Sequence, residues 1–485
     1  MAYTSDLLDP KRANIVLWLI ALAFFMQMLD GTILNIALPG IARDLGVNPL
    51  QMQSVVIAYM LTTALFIPAS GWCADHFGTK NVFFAAISLF TLGSFLCAIS
   101  PTLPFLAMAR IVQGLGGALL VPVGRLTVLK VFPRSQLVGV LSFVTLPGLL
   151  GPLIGPIIGG FLVEYASWHW IFLINIPIGI IGAVFTLRCF PQLTDSEAKR
   201  FDLIGFLLFG LSMILISIAM EGFGELHMSK VMATTLCISG LILMSLYWLR
   251  SAYIQNPLFA CQLFQTRSFA IGILGSLFGR LGTGAMPYLI PLFLQLALGF
   301  SPFIAGISMI PAALGGLIGK QIIDQMVKRF GFRHLLTANT LIQGIIFACF
   351  AIIDADTSIV VMMILFGLFG IVNSMQFTAT NSMTLIDLPT HHTGSGNSLL
   401  SVVMQVASST GVAMAAALIS GFAAAGSLGL DTSQMAIFHH TFIVVGLIVC
   451  LTTLIFNQTP DNVGQSHTGT IKVVDPDHDS LNAKT

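Results

Sequence analysis

Of 485 residues, 56% are hydrophobic and only 8% are charged. A soluble domain carries about a quarter charged residues, so this chain reads as an integral membrane protein. Net charge is +1, with basic residues spread singly between apolar runs, which argues against nucleic acid as a partner.

A helix needs about 20 apolar residues to cross the hydrocarbon core, and fourteen segments meet that test. The first, 15–38, follows Lys11 and Arg12 and is too long for a signal-peptide core. It contains FFMQMLDGTILNIALP, in which Asp30 places a carboxylate in the middle of the run. Such a charge costs about 3 kcal/mol on insertion scales, so Asp30 is a functional candidate by default. The alternative is a purely structural ion pair with an intramembrane arginine.

The second span, 52–72, runs into GWCADHFGTKN, an acid, a glycine turn and a base between two spans. Gly71, Asp75, Gly78 and Lys80 carry that element, with Asp75 placed to cap or latch a neighbouring helix end. After the third span, 81–100, the fourth, 103–124, carries Arg110, Gln113, Gly114 and Gly117 at i, i+3, i+4 and i+7. That is one helix face, on which small residues admit a close neighbour. The fifth span, 137–163, contains GLLGPLIGPIIGG. Gly151, Gly155 and Gly159 bare the backbone every fourth residue, and Pro152 and Pro156 each remove a donor, which suits a helix that rocks against a partner.

The sixth span is 170–190, and the seventh and eighth are 202–221 and 231–249. The ninth, 269–294, holds Arg280 and, despite Pro287 and Pro291, counts as one crossing because no polar turn interrupts it. The tenth, 302–320, leads to KRFGFRH, which repeats the aromatic-Gly-x-base element of HFGTK and suggests duplicated halves. After the eleventh, 335–353, the twelfth, 358–386, bears a stripe of Asn373, Gln376 and Thr380. The thirteenth, 397–422, bears Ser398, Ser401, Gln405 and Ser408, and the fourteenth is 438–456. Each stripe is open to two readings, interhelical hydrogen bonding or cavity lining. The residues after 457 are expected to be a disordered tail.

An even count puts both termini on one side. Lys11, Arg12, Lys80, Lys130, Arg134, Arg188, Lys199, Arg200, Arg250, Arg267, Lys328, Arg329 and Arg333 share that side, while Arg43 and Lys230 lie opposite. Short cytoplasmic loops carry the positive excess, so both termini are expected in the cytoplasm. No nucleotide, hydrolase or metalloprotease motif occurs in a suitable context, and the seven cysteines show neither CxxC nor a disulfide spacing. His391 and His392 read as residues of the loop LPTHHTGSGN.

Together these segments resemble the major facilitator superfamily, specifically its fourteen-span drug:proton antiporter branch of EmrB-type and QacA-type exporters. LDGTILNIALP is similar to the first-span motif, and GWCADHFGTK to the loop motif with His76 and Thr79 where bases are usual. Arg110, Gln113, Gly114 and Gly117 fit the fourth-span motif. Gly148, Gly151, Pro152, Gly155, Pro156, Gly159 and Gly160 fit the antiporter motif of the fifth. WHWIFLINIPIG resembles the segment that follows.

The resemblance implies an all-α membrane protein with 14 spans: a six-helix bundle over 1–190, two inserted helices within 191–268, a second six-helix bundle over 269–456, and the tail 457–485. It implies a proton-driven exporter of small organic molecules in a bacterial inner membrane, with no cofactor and with a periplasmic adaptor as a conceivable partner. Asp30 and Arg110 would couple protons, and Gln27, Gln113, Arg280, Asn373, Gln376, Thr380, Ser401 and Gln405 would line the substrate cavity. Two arginines against one aspartate lean the substrate toward neutral, zwitterionic or anionic compounds. A single-metabolite or siderophore exporter, an uncoupled facilitator and a membrane sensor remain alternatives.

Overall fold

The computed structural model describes residues 9–133, 135–194, 201–224, 228–424, 431–461 and 463. Arg134, Lys199, Arg200 and most of the tail 457–485 therefore lie outside the described residues. Every regular element within them is helical, because in hydrocarbon an apolar segment must satisfy its own backbone N–H and C=O groups.

The first nine helices are α1 (Pro10–Asp44), α2 (Gln53–Phe77), α3 (Thr79–Ala98), α4 (Leu103–Val131), α5 (Leu137–Tyr165), α6 (Trp170–Cys189), α7 (Leu203–Gly224), α8 (Lys230–Ser251) and α9 (Arg267–Leu292). Pro287 and Pro291 leave α9 a single helix, as expected, and it ends in a π-turn at Phe293–Ala297. The chain then forms one helical stretch of 51 residues, Pro302–Ile352. At 1.5 Å per residue that is more than twice the thickness of the hydrocarbon core.

Gly331 breaks that stretch, with φ 73° and ψ 166°, a region open essentially to glycine alone. Before the break, Gly315 and Gly319 press on the carbonyls of Gly367 and Ile371. After it, Asn339 donates to the carbonyl of Val372 at 2.9 Å and Gln343 to Asn373 at 3.4 Å. Gly319 and Gln343, each twelve residues from Gly331, thus meet neighbouring levels of one helix, so the chain reverses there. We label the halves α10 (302–330) and α11 (332–352), followed by α12 (Ile359–Ile386), α13 (Thr390–Ala424) and α14 (Gln434–Phe456). Among the described residues thirteen stretches are long and apolar enough to span a membrane, and dividing one at Gly331 makes fourteen helices. Gly78 turns α2 into α3 with φ 86°, so HFGTK and RFGFR share a geometry as well as a pattern.

Five of the helix starts opposite the N-terminal face carry hydroxyl caps. Thr102, Ser229, Ser301, Ser358 and Ser433 accept a backbone N–H in the first turn of α4, α8, α10, α12 and α14. His391 and His392 are not in a loop: α13 begins at Thr390, leaving 387–389 as the connection. The Gly- and Ser-rich composition signalled a loop, but each glycine costs a helix only about 1 kcal/mol, and α13 is held by packing on α9, α2 and α7.

α1 packs on α5, α4 and α6, and α4 packs on α2 and α3. α12 packs on α10 and α11, α9 on α13 and α14, and α7 pairs with α8. The two sets meet where α5 touches α10, α1 touches α9 and α2 touches α13. Outward-facing Trp18, Met108, Leu207, Ile345 and Leu451 are exposed apolar residues suited to lipid.

The reversal at Gly331 fixes a topological outcome. In a cysteine-free background, cysteines placed at Phe330 and at Arg12, both exposed, should react with a membrane-impermeant maleimide from the same side. Labelling from opposite sides would mean that 302–352 crosses once.

Candidate functional site

Asp30 is 1% exposed and Arg110 is 1% exposed, and they form an ion pair, with Arg110 Nη1 2.6 Å from Asp30 Oδ2. Removing both charges from water is costly, and the cost is recovered only when the remaining lone pairs and protons find partners. Gln113 supplies them from the next turn of α4. Its Nε2 donates to Asp30 Oδ1 at 2.8 Å and to Ser94 Oγ at 2.9 Å, while its Oε1 accepts from Arg110 at 2.7 Å. Asn175 on α6 reaches the same carboxylate oxygen at 3.5 Å and Ser94 at 3.3 Å. The guanidinium lies 4.2 Å from the ring centroid of Tyr59. One donor, Arg110 Nε, finds no acceptor, so the network is close-knit yet incomplete.

The opposite face of α1 rests on the fifth-span glycines. A Cβ at Gly151 would stand 2.7 Å from Met28 Cβ, and one at Gly159 2.5 Å from Ile36 Cγ2. A Cβ at Gly155 would collide with Thr32 Oγ1, whereas Gly148 has room. Thr32 donates to the carbonyl of Gly151 at 3.2 Å. Gly160 faces the next contact, the backbone of Pro302 and Phe303, and Gly306 of α10 meets the carbonyl of Pro156. Near the same end, Glu164 accepts from Phe303 N at 2.9 Å and Gln295 donates to the carbonyl of Ile36 at 2.9 Å. α1 therefore joins the buried ion pair to a glycine interface that continues across the seam.

Arg280 occupies a separate place. It lines a cavity of about 30 Å³ with Ser276, Thr283, Asn373, Gln376 and Thr380, and its guanidinium lies 4.8 Å from the Phe377 ring centroid. Among the described residues no carboxylate pairs with it. The α12 stripe does both things its sequence allowed. Gln376 accepts from Asn339 and donates to Thr340, each at 2.8 Å, while it and Asn373 also line the cavity. Further along the same faces of α9 and α12 lies an apolar cavity of about 170 Å³, bounded by Pro152, Pro156, Pro287, Pro291, Phe366 and Phe369. Thr32 and Asn35 of the first-span motif also border it.

The remaining expected residues are more dispersed. Asp75 binds Lys130 in the last turn of α4 at 2.6 Å, so its latch lies within α1–α6. Gly78 is the turn, Lys80 is half-buried and Gly71 is exposed. Gln27 is half-buried three residues before Asp30. Ser401 donates to the carbonyl of Asn397 at 2.8 Å, and Gln405 is half-buried on α13; neither borders the Arg280 cavity. Among the described residues no cluster of three His, Cys, Asp or Glu side chains is placed to hold a metal.

Sequence reasoning missed Tyr59, Ser94 and Asn175. The available signal for the last two was a lone polar residue in an apolar turn. It also missed Lys320 and Asp324, exposed on α10 seven and eleven residues after Ala313, which borders the apolar cavity. That spacing keeps all three on one helix face, but the tenth span was ended at 320.

A family model for the Major Facilitator Superfamily matches residues 20–412. The chain is 45% identical over 459 residues to a protein of Pectobacterium atrosepticum provisionally named multidrug resistance protein MdtD, covering 94% of this chain and 98% of the relative. It is 46% identical over 458 residues to the protein of that name from Salmonella heidelberg, covering 94% and 97%. Among solved structures it resembles an auto-inhibited POT family peptide transporter, with a TM-score of 0.70 at 13% identity over 92% of this chain and 96% of the other. A D-xylose–proton symporter gives a TM-score of 0.67 at 14% identity over 93% and 99%. At such low identity these two speak for the fold alone.

Gln113 is the hinge of the buried network, so Gln113→Leu should lower the stability of the purified protein by about 1–3 kcal/mol, the cost of orphaning buried partners. Thermal unfolding followed by tryptophan fluorescence reads this directly. An unchanged transition would show that the network contributes nothing to the fold.

Proposed function

The chain belongs to the major facilitator superfamily and is a membrane transporter rather than an enzyme, and from that premise we propose that it exports small organic molecules of the multidrug type in exchange for protons. The names of the relatives support the efflux reading. Our proposed setting is a bacterial inner membrane with both termini in the cytoplasm, which the excess of Lys and Arg on the terminal side supports. The working units of the proposal are the bundles 1–190 and 269–456, with an inserted pair between them.

The observation that carries proton coupling is the Asp30–Arg110 pair. A proton on Asp30 removes the counter-ion of a guanidinium that is 1% exposed, and breaking such a pair costs about 3–5 kcal/mol. That is several times thermal energy, enough to bias a two-state helix arrangement. α1 bears the carboxylate on one face and the α5 glycines on another, so a shift of α1 against α4 alters the α1–α5 contact as well. The α5–α10 contact at Gly160 and Gly306 carries the shift to the second bundle.

With Gln295, Glu164 and Gly160 joining the bundles at the end opposite the termini, we read this arrangement as facing the cytoplasm. Substrate would enter the cleft between α9 and α12, and protonation would be exchanged against it during alternating access. The proposal needs no cofactor, and it leaves any periplasmic adaptor to be found by experiment.

Asp30→Asn keeps the shape of the side chain and removes its titration. In proteoliposomes it should abolish substrate flux driven by a proton gradient, by at least tenfold, at wild-type reconstitution levels. A protonophore should reduce wild-type flux to the same residue. Full gradient-driven flux in Asp30→Asn would refute coupling at this carboxylate.

A further inference from the structure

We propose that the cleft between α9 and α12 is an amphiphilic-anion site. It takes an organic molecule with a single carboxylate, sulfonate or phosphate head on Arg280, Ser276 and Thr380 and an apolar body toward Pro287 and Phe369. This deepens the efflux reading above and rests on it for direction of transport, but not for the chemistry of binding.

The two intramembrane arginines have different electrostatic roles. Arg110 is matched by Asp30 and stacked on Tyr59 inside the first bundle, so its charge is already spent. Arg280 has an aromatic face at Phe377 but no carboxylate partner among the described residues. A half-buried, unmatched guanidinium in a membrane-spanning helix is costly unless something anionic visits it.

A second observation points the same way. Ser276 is 4% exposed and Thr380 is 6% exposed; both residues border the Arg280 cavity, and their buried hydroxyl oxygens have no hydrogen-bond partner. Buried hydroxyls without partners are uncommon in folded proteins. Turned into the cavity, the two of them beside a guanidinium without a carboxylate partner would make a donor set for an oxyanion. The cavity volume of about 30 Å³ is room for about one or two waters, so a head group must widen it on entry.

The body has its place along the same helix faces. Ser276, Arg280, Thr283, Pro287 and Pro291 follow one another on α9 at intervals of three and four residues, as do Phe366, Phe369, Asn373, Gln376 and Thr380 on α12. Seven residues from Arg280 to Pro287 amount to about 10 Å, the scale of a two-ring aromatic with its head group. The apolar cavity there, about 170 Å³, supplies no charge. Lys320 and Asp324 share the α10 face leading from that cavity and are both exposed. Asp324 forms no ion pair with Arg280.

The test uses the full chain in detergent and three probes with one ring system: naphthalene-2-sulfonate, naphthalene-2-sulfonamide and 2-naphthylmethylammonium. Titration calorimetry should show the sulfonate binding wild type at least tenfold more tightly than the ammonium. Arg280→Gln should lose at least tenfold for the sulfonate while the sulfonamide changes less than twofold. Arg280→Lys should recover part of the loss, and Ser276→Ala or Thr380→Ala should each cost about threefold. Size-exclusion monodispersity checks that each variant is folded. No sulfonate binding to wild type, a preference for the ammonium, or an unchanged sulfonate preference in Arg280→Gln would overturn the proposal. Flux of the same probes in proteoliposomes separates the two readings. Proton-driven export of the ammonium alone would defeat the anion site and leave efflux standing, whereas sulfonate binding without proton-dependent flux would do the reverse.

Discussion

One ion pair sets the terms for the first half of this molecule. A carboxylate and a guanidinium 2.6 Å apart, each 1% exposed, sit among helices that are otherwise apolar. Neither charge is tolerable alone in that setting. Gln113, Ser94, Asn175 and Tyr59 close around the pair from four different helices. The packing of α2, α3 and α6 on α4 and α1 is thus tied to electrostatic need as well as to small-residue contact.

The helix that bears the carboxylate is also the one with the barest neighbour. α5 offers α1 a row of glycines where no Cβ fits, and it does so with three prolines inside a continuous helix. Close backbone contact of this kind is sensitive to small displacements, while proline removes the hydrogen bonds that would stiffen the helix against them. In the proposed mechanism, charge on one face of α1 and close glycine contact on the other would link protonation to the seam. The second bundle contributes a different chemistry: an unmatched arginine, unpartnered hydroxyls and an apolar recess along α9 and α12, which carry no acid.

Much of this was legible in the sequence, because hydrocarbon imposes strict rules. The fourteen runs, the cost of Asp30, the helix face of Arg110 and Gln113 and the glycine repeat all follow from length, charge and spacing. The identity of partners was not legible. Nothing in the sequence says that Asp30 chooses Arg110 over Arg280, because that depends on which helices become neighbours. Nor did hydropathy show that 328–334 would turn on a single glycine, since the conformation of Gly331 is local while the windows that find spans are broad. Lys320 and Asp324 escaped for a related reason: α10 continues past the end of its apolar run and carries polar residues down the same face.

In the proposed mechanism the charge state of Asp30 governs the seam between the bundles. The direct test is electron–electron distance measurement in nanodiscs, with spin labels at the exposed positions Pro101 and Ala355 at the end opposite the termini, recorded as pH is varied. The account predicts that the wild type moves between a short and a long distance population with pH, and that Asp30→Asn stays fixed in one distribution. A pH response of equal size in Asp30→Asn would contradict it, placing the control of the seam in another group.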